Sequence, residues 1–184
     1  MSRKIIAICG KSASGKSTLI SEIEKLAPHI TQVVKSHTTR AVRDEFDKTT
    51  HDFVTDEYYL KNKHKAISTY NAPEGYVNWT DDDCFSENHI NLYAIDSIAL
   101  NNEFYQVCKE RGWDLEVIYV TVPNSVRRRR ILCRDKTLEN FSNEKHLSKE
   151  HLTNFKDIKI VDTREGIDFV IDDIMEFVED LWER

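Results

Sequence analysis

The sequence predicts an α/β fold, a parallel sheet flanked by helices, with two insertions. Three observations predict it. Short runs rich in isoleucine and valine alternate with longer segments of helical period. The first run leads directly into a glycine-bounded loop and then a helix. Two stretches, about 36–83 and about 126–157, break the alternation with polar, aromatic or charged texture.

Lys4 to Cys9 (KIIAIC) is a continuous apolar run, as a strand covered on both faces requires. Lys16 to Ala27 reads as a helix, with Leu19, Ile20, Ile23 and Leu26 at helical spacing and Pro28 just past its end. Thr31 to Lys35 is a second short strand. The stretch from His37 to Asp83 is expected to hold short strands, one helix near Asp56 to Asn62, and turns at NAPEG and DDD. His89 to Ile95 (HINLYAI) resumes the core as a strand. Ser97 to Arg111 follows as a helix, capped by Asp96 or Ser97 and closed by Gly112. Leu115 to Val122 (LEVIYVTV) is the clearest strand, and Pro123 opens a helix carrying RRRRILCR. Residues 135–157 are charged and weakly apolar. Ile167 to Ile171 reads as a last strand. Asp172 to Trp182 reads as a last helix, with Ile174, Phe177, Val178 and Leu181 on one face. The organisation expected is one domain over 1–184. Its core is about 1–35, 84–125 and 158–184, with insertions at about 36–83 and about 126–157.

Composition narrows the function. The formal net charge is −6 over 184 residues, which argues against a nucleic-acid-binding surface. No apolar run is long enough to span a bilayer, and the N-terminus enters a strand pattern at once, without a secretory signal. The four cysteines, Cys9, Cys84, Cys108 and Cys133, form no CxxC pair. That reads as reduced thiols in a cytoplasmic protein and speaks against a zinc site. A monomer or homodimer acting on small molecules, with no membrane or nucleic-acid partner, is expected.

Gly10 to Ser17 (GKSASGKS) matches G-x-x-x-x-G-K-[ST] in the strand–loop–helix context that motif needs. The glycines let backbone N–H groups turn inward, and the following helix directs its positive end at phosphate. Gly10, Lys11, Ser12, Ala13, Ser14, Gly15, Lys16, Ser17 and Thr18 are the candidate nucleotide-binding residues, and the fold is of the P-loop NTPase type. Lys16 is placed to reach the β and γ phosphates and the Ser17 hydroxyl to ligate Mg²⁺. ATP is the expected nucleotide, because no NKxD base-reading motif is present and a motor ATPase would be larger.

KSHTTRAVRDE, Lys35 to Glu45, supplies a second anion site. Two arginines three apart, preceded by hydroxyl residues, follow a strand end. Guanidinium groups grip phosphate with forked hydrogen bonds.

SHTTRAVRDE resembles the S-x-T-T-R-x-x-R-x-x-E segment of guanylate kinases. The resemblance extends over nearly the whole chain, through the P-loop, the first insertion, AID at Ala94 to Asp96, the arginine-bearing helix and IDFVI. It implies transfer of the ATP γ-phosphoryl group to a nucleoside monophosphate, GMP or dGMP first, with Mg²⁺. It also implies a small acceptor-binding lobe at about 36–83, a lid at about 126–157 that closes with it on the core, and Ser36, Arg40 and Arg43 around the acceptor phosphate. The chain departs from the family in the lobe. His51 stands where the family has a phosphate-contacting Tyr, and Asn78 replaces a second one. Thr69 falls at the guanine-reading Glu, and Ala94 at a position often acidic. Thr80 and Asp96 keep the other two base-facing groups. A protonated His51 in the phosphate grip would make acceptor affinity fall between about pH 6 and 7.5.

On the arginine-rich helix, Arg127, Arg130 and Arg134 share a face by spacings of three and four. Arg130 and Arg134 match the family's R-L-x-x-R pattern and join Lys16 and Arg40 as expected catalytic residues. Lys145 and Lys149 are the nearest cations to a further lid arginine. Three other readings stay open: a kinase for a different or modified (d)NMP, a ribose 1,5-bisphosphate phosphokinase, which needs no base grip, and a non-catalytic guanylate-kinase-like binding module.

Overall fold

The structure is a computed structural model that describes residues 2–184 except 44, 46, 136, 137, 139, 140 and 142–147. Its main sheet has the order β2-β7-β1-β8-β9, built from β1 (Lys4–Cys9), β2 (Thr31–Val33), β7 (Ile90–Ala94), β8 (Asp114–Thr121) and β9 (Lys159–Asp162). Every neighbouring pair in it is parallel. The alternation along β1 separates two apolar layers. Ile5, Ala7 and Cys9 face one, with Leu100, Phe104 and Tyr119, and Ile6 and Ile8 face the other. That second layer is completed by α1 (Lys16–Leu26) and α7 (Ile171–Glu183), which bring Leu19, Ile20 and Ile23, and Ile174, Val178 and Leu181. Burial on both faces is why β1 is an unbroken apolar run.

The first insertion forms a second sheet, order β4-β3-β6-β5, from β3 (Ser36–Thr38), β4 (His51–Phe53), β5 (Ser68–Asn71) and β6 (Val77–Thr80). The short helix α2 (Asp47–Thr50) precedes β4. The helix α3 (Asp56–Asn62) lies where the sequence puts it, because the Thr55 hydroxyl accepts from the Tyr58 N–H at its start. After β7 the chain continues through α4 (Ser97–Ala99), a π-helical turn (Leu100–Phe104) and α5 (Tyr105–Arg111). Asp96 caps the first of these by accepting from Ile98 and Ala99, and Gly112 closes the last at φ 65°. The arginine-rich helix is α6 (Asn124–Asp135).

One element differs from expectation. The fifth strand of the main sheet is Lys159–Asp162, whereas residues 167–170 turn into α7. IDFVI has strand-like composition, but Gly166 at φ 121° redirects the chain before it, and Phe169 is 75% exposed. A short apolar run does not distinguish a strand from the start of a helix.

The approach of β1 to β8 leaves no room at the loop's first glycine. A Cβ on Gly10, itself at φ 143°, would lie 2.2 Å from the Val120 carbonyl oxygen. Gly10→Ala is therefore expected to lower the urea midpoint and weaken nucleotide binding together. A variant with wild-type stability and nucleotide affinity would contradict this packing.

Candidate active site

The phosphate loop follows β1 and ends at α1, whose N-cap is Gly15 at φ 108°. Ala13 also has positive φ, 57°. Such a loop turns N–H groups inward and leaves carbonyls outward. Those carbonyls are met from behind. Arg127, 3% exposed, donates from Nε to the Ser12 carbonyl at 3.0 Å. Arg130 donates to the carbonyls of Ala13 and Ser14, each at 3.3 Å, and to Thr163 at its hydroxyl and carbonyl. The Thr163 hydroxyl donates to the Ser14 carbonyl at 2.5 Å. Arg134 reaches the Ser12 hydroxyl at 3.3 Å. The shared face of Arg127, Arg130 and Arg134 thus lies against the loop, while Arg128 sits over the Phe141 ring. Lys16 donates to the carbonyls of Gly10 and Lys11, at 2.7 and 3.1 Å.

A cleft of about 300 Å³ opens in front of the loop. Lys16, Ser17 and Thr18 line one side, Arg43, Asp47 and His51 another, and Arg134 also borders it. Arg130 is not part of this lining; its contacts put it behind the loop as a brace, where it was expected to face the transferring phosphate. Lys149 is exposed in a short turn and does not line the cleft, and Lys145 lies outside the described residues.

Arg40 and Arg43 flank Asp47. Arg40 pairs with the Asp47 carboxylate at 2.8 Å, and the Arg43 backbone N–H donates to the same oxygen at 2.8 Å. Burial alone would raise the Asp47 carboxyl, but hydrogen bonds from Arg40 and Arg43 and their charges hold it at about 2. The Arg40 side chain is only 9% exposed and lies between the rings of Phe53 and Tyr76. Its Nε and Nη2 are buried without an acceptor among the described residues. Burial, and then the Arg40 charge, lower the Arg43 pKa. Two crowded cations, with unused donors on Arg40, make a site that favours an anion. Asp47 and Tyr76 belong to it and have no signal in the sequence motif.

A second cavity, about 30 Å³, sits where the small sheet meets β7. Ser36, Ser68, Tyr70, Asn78, Tyr93 and Asp96 line it. Strand alternation corrects one assignment here. Ser68 and Tyr70 face the cavity, so Thr69 between them points away, and its N–H donates to Glu103 at 3.0 Å. The residue of this pair that lines the cavity is Ser68. Thr80 lies one step deeper, fully buried, with its hydroxyl 3.0 Å from that of Tyr93. Burial pushes the Tyr93 phenol up to about 12, so it is a neutral hydrogen-bonding group. Asn78 Oδ1 is buried without a partner among the described residues.

His51 borders both spaces and hydrogen-bonds with the Thr50 hydroxyl at 2.9 Å through Nδ1. Its expected charge is corrected. Burial, and next the Arg40 charge, lower its pKa to about 4. It is neutral near pH 7, so its ionisation produces no change in acceptor affinity between about pH 6 and 7.5. The unfolded imidazole takes a proton more readily. Its stabilising contribution is thus present above about pH 6.5 and is lost as pH falls toward 4. NMR titration of the His51 ring should give a midpoint near 4. A midpoint above about 6 would restore the cationic reading.

Comparison with known proteins follows this geometry. A search of curated proteins finds no match to the chain. The guanylate kinase from Anaplasma phagocytophilum superposes with a TM-score of 0.62 at 16% identity, covering 100% of this chain and 87% of that one. A gluconokinase from Sinorhizobium meliloti 1021 superposes with a TM-score of 0.54 at 13% identity, covering 98% and 94%. The fold is therefore a P-loop kinase fold, and the resemblance to guanylate kinases is borne out at that level. The AAA domain family matches residues 6–148, so the chain belongs to the AAA domain family.

Proposed function

We propose that the chain is an ATP-dependent nucleoside monophosphate kinase, with GMP or dGMP as first candidates for the acceptor. The observation that carries this reading is one cleft with anion sites on both sides. The phosphate loop and Lys16 lie on one side. Arg43 and Asp47 line the other, and Arg40, tied to Asp47 outside that lining, keeps unused buried donors beside it. An acceptor phosphate oxygen would form the new bond to the γ phosphorus as the bond to the bridging β–γ oxygen breaks, releasing ADP. Arg40 and Arg43 would hold the acceptor phosphate. Lys16 and Arg134 would neutralise charge on the phosphoryl group in flight, since positioning and electrostatics dominate this chemistry. The Ser17 hydroxyl, at the start of α1 in the cleft, suits Mg²⁺, which would add charge neutralisation. The core, a lobe at about 36–83 and a lid at about 126–157 would close around the substrates.

The base side is less complete. Asp96 and the Asn78 amide oxygen are acceptors suited to the N1–H and 2-amino donors of guanine. Ser68 supplies a hydroxyl where a second carboxylate would sharpen the choice. Weaker base discrimination follows, because a missing partner for a polar edge lowers selectivity against analogues without it. The cavity holds only a water or two as it stands. That favours a second reading, a smaller phosphorylated sugar such as ribose 1,5-bisphosphate.

Turnover with ATP and Mg²⁺ against all common NMPs, dNMPs and ribose 1,5-bisphosphate separates the two. Guanine nucleotides are expected to lead by a modest margin, and Lys16→Ala is expected to abolish turnover in a folded protein. No turnover of any nucleotide, or a near-wild-type rate in Lys16→Ala, would overturn the proposal.

Arg40→Ala and Arg43→Ala should raise the acceptor KM roughly ten- to a hundredfold, from about 1.5–3 kcal/mol per lost charged contact, with little change for ATP. Equal losses for both substrates would remove these arginines from the acceptor clamp. Ser68→Glu should increase the kcat/KM preference for GMP over AMP, whereas Thr69→Glu should not. The opposite pattern would refute the strand assignment of the base site.

A further inference from the structure

A separate cluster lies on the far side of β3 from the base cavity. His37 Nε2 is 3.8 Å from Cys84 Sγ and 4.0 Å from Asp81 Oδ2, and Cys84 Sγ is 3.3 Å from Asp81 Oδ1. The three ligand atoms are mutually close and half-buried. Around a tetrahedral zinc ion, nitrogen, oxygen and sulfur ligands stand about 3.4–3.6 Å apart. His37 and Cys84 approach different oxygens of Asp81, and with one oxygen taken per residue the three ligand atoms lie within 4.8 Å of one another, so a side-chain adjustment is needed to close the triangle. A thiol, an imidazole and one carboxylate form a borderline-soft donor set, which selects zinc over the harder Mg²⁺ expected in the cleft. The Trp79 ring, tilted by 34°, lies with its centroid 4.3 Å from that of His37, with the Tyr58 ring at 6.0 Å, and gives the ligands an apolar wall. Asp52, beside His37 on β4, adds negative charge.

We propose that His37, Asp81 and Cys84 bind one zinc ion at the root of the small sheet, with a water completing the tetrahedron. Binding forms a Zn–S bond as the Cys84 thiol loses its proton, now directed at Asp81, to solvent. The sequence spacing spoke against zinc because the ligands are 44 and 47 residues apart. The fold brings them together where β3 leaves the core and β6 returns to it. Asp82, between two of the ligands, is ion-paired to Arg3 and Arg111 and fixes its turn to the core. The ion would therefore fasten β3 to that anchored turn. Ser36 and Thr80, the residues next to His37 and Asp81, belong to the base cavity and its floor, so both would be stiffened.

The full chain, stripped with chelator, is titrated with Co²⁺. One equivalent is expected to bind, with a thiolate-to-cobalt charge-transfer band and visible d–d bands of tetrahedral intensity, and Zn²⁺ should displace it. Cys84→Ser should abolish the charge-transfer band. His37→Phe, which keeps the ring packing on Trp79, should weaken binding at least tenfold. Cys133→Ser, removing the exposed thiol, should change neither. In the wild type, Zn²⁺ should protect Cys84 but not Cys133 from alkylation read by mass spectrometry. That arm decides the question even if the variants misfold. No cobalt band in the wild type, a band that survives Cys84→Ser, or no protection of Cys84 would each overturn the site.

Discussion

A loop that points its N–H groups at a phosphate must point its carbonyls somewhere else, and those carbonyls need donors. Much of the site's architecture follows from this. Arg127 and Arg130 come from α6, Thr163 from the residue after β9, and all three donate to the outward carbonyls of Ser12, Ala13 and Ser14. A helix read from sequence as a row of substrate-facing cations is thus divided. Two arginines hold the loop in shape, and Arg134 alone of the three reaches round to the cleft. The fixed placement of β1 and β8, enforced by the missing Cβ at Gly10, sets where that loop begins.

The opposite wall faces a different constraint. Two guanidinium groups and a buried imidazole share a small volume, and like charges there repel. Asp47 relieves this by accepting from Arg40 and the Arg43 backbone together. It does so from one turn of α2, immediately before His51 and β4. The result is partial neutralisation. One carboxylate faces two cations, His51 stays uncharged, and donors on Arg40 remain without acceptors. Buried donors left in that state are costly. A bound phosphate would remove the cost without rearranging the wall, which is what preorganisation means in electrostatic catalysis.

The parts legible in sequence are those fixed by local rules. The phosphate loop announces itself by spacing. The strands β1, β7 and β8 follow from runs covered on both faces, and α3 and the Gly112 closure from capping chemistry. The parts missed depend on register or on distance. Thr69 and Ser68 are adjacent in the chain yet on opposite faces of β5, and only the pairing of Ser68 with Thr80 and of Tyr70 with Asn78 decides which faces the cavity. The role of Arg130 turns on carbonyls more than 100 residues away. The neutrality of His51 follows from burial that no motif encodes. β9 was displaced in the reading because IDFVI is more apolar than the exposed edge strand KIVD that takes its place.

On the proposed function, the separation of the cleft from the second cavity would let phosphate and base recognition change independently. The phosphate contacts rest on backbone geometry and on arginines tied to it, so their placement tolerates little. The base cavity rests on side chains of a four-stranded sheet outside the main core, where single exchanges alter chemistry without disturbing the loop. Ser68, Asn78, Thr80 and Tyr93 form a neutral, hydroxyl-rich group, and Asp96 supplies its negative charge from the end of β7. Asp96 is also a helix cap, accepting from Ile98 and Ala99. On the proposed function it serves fold and base at once, with Oδ1 holding the helix start. A carboxylate so tied is difficult to replace, whereas one at position 68 would serve the base alone. On the proposed function, this asymmetry would give a kinase with a firm grip on the acceptor's phosphate and an adjustable choice of base.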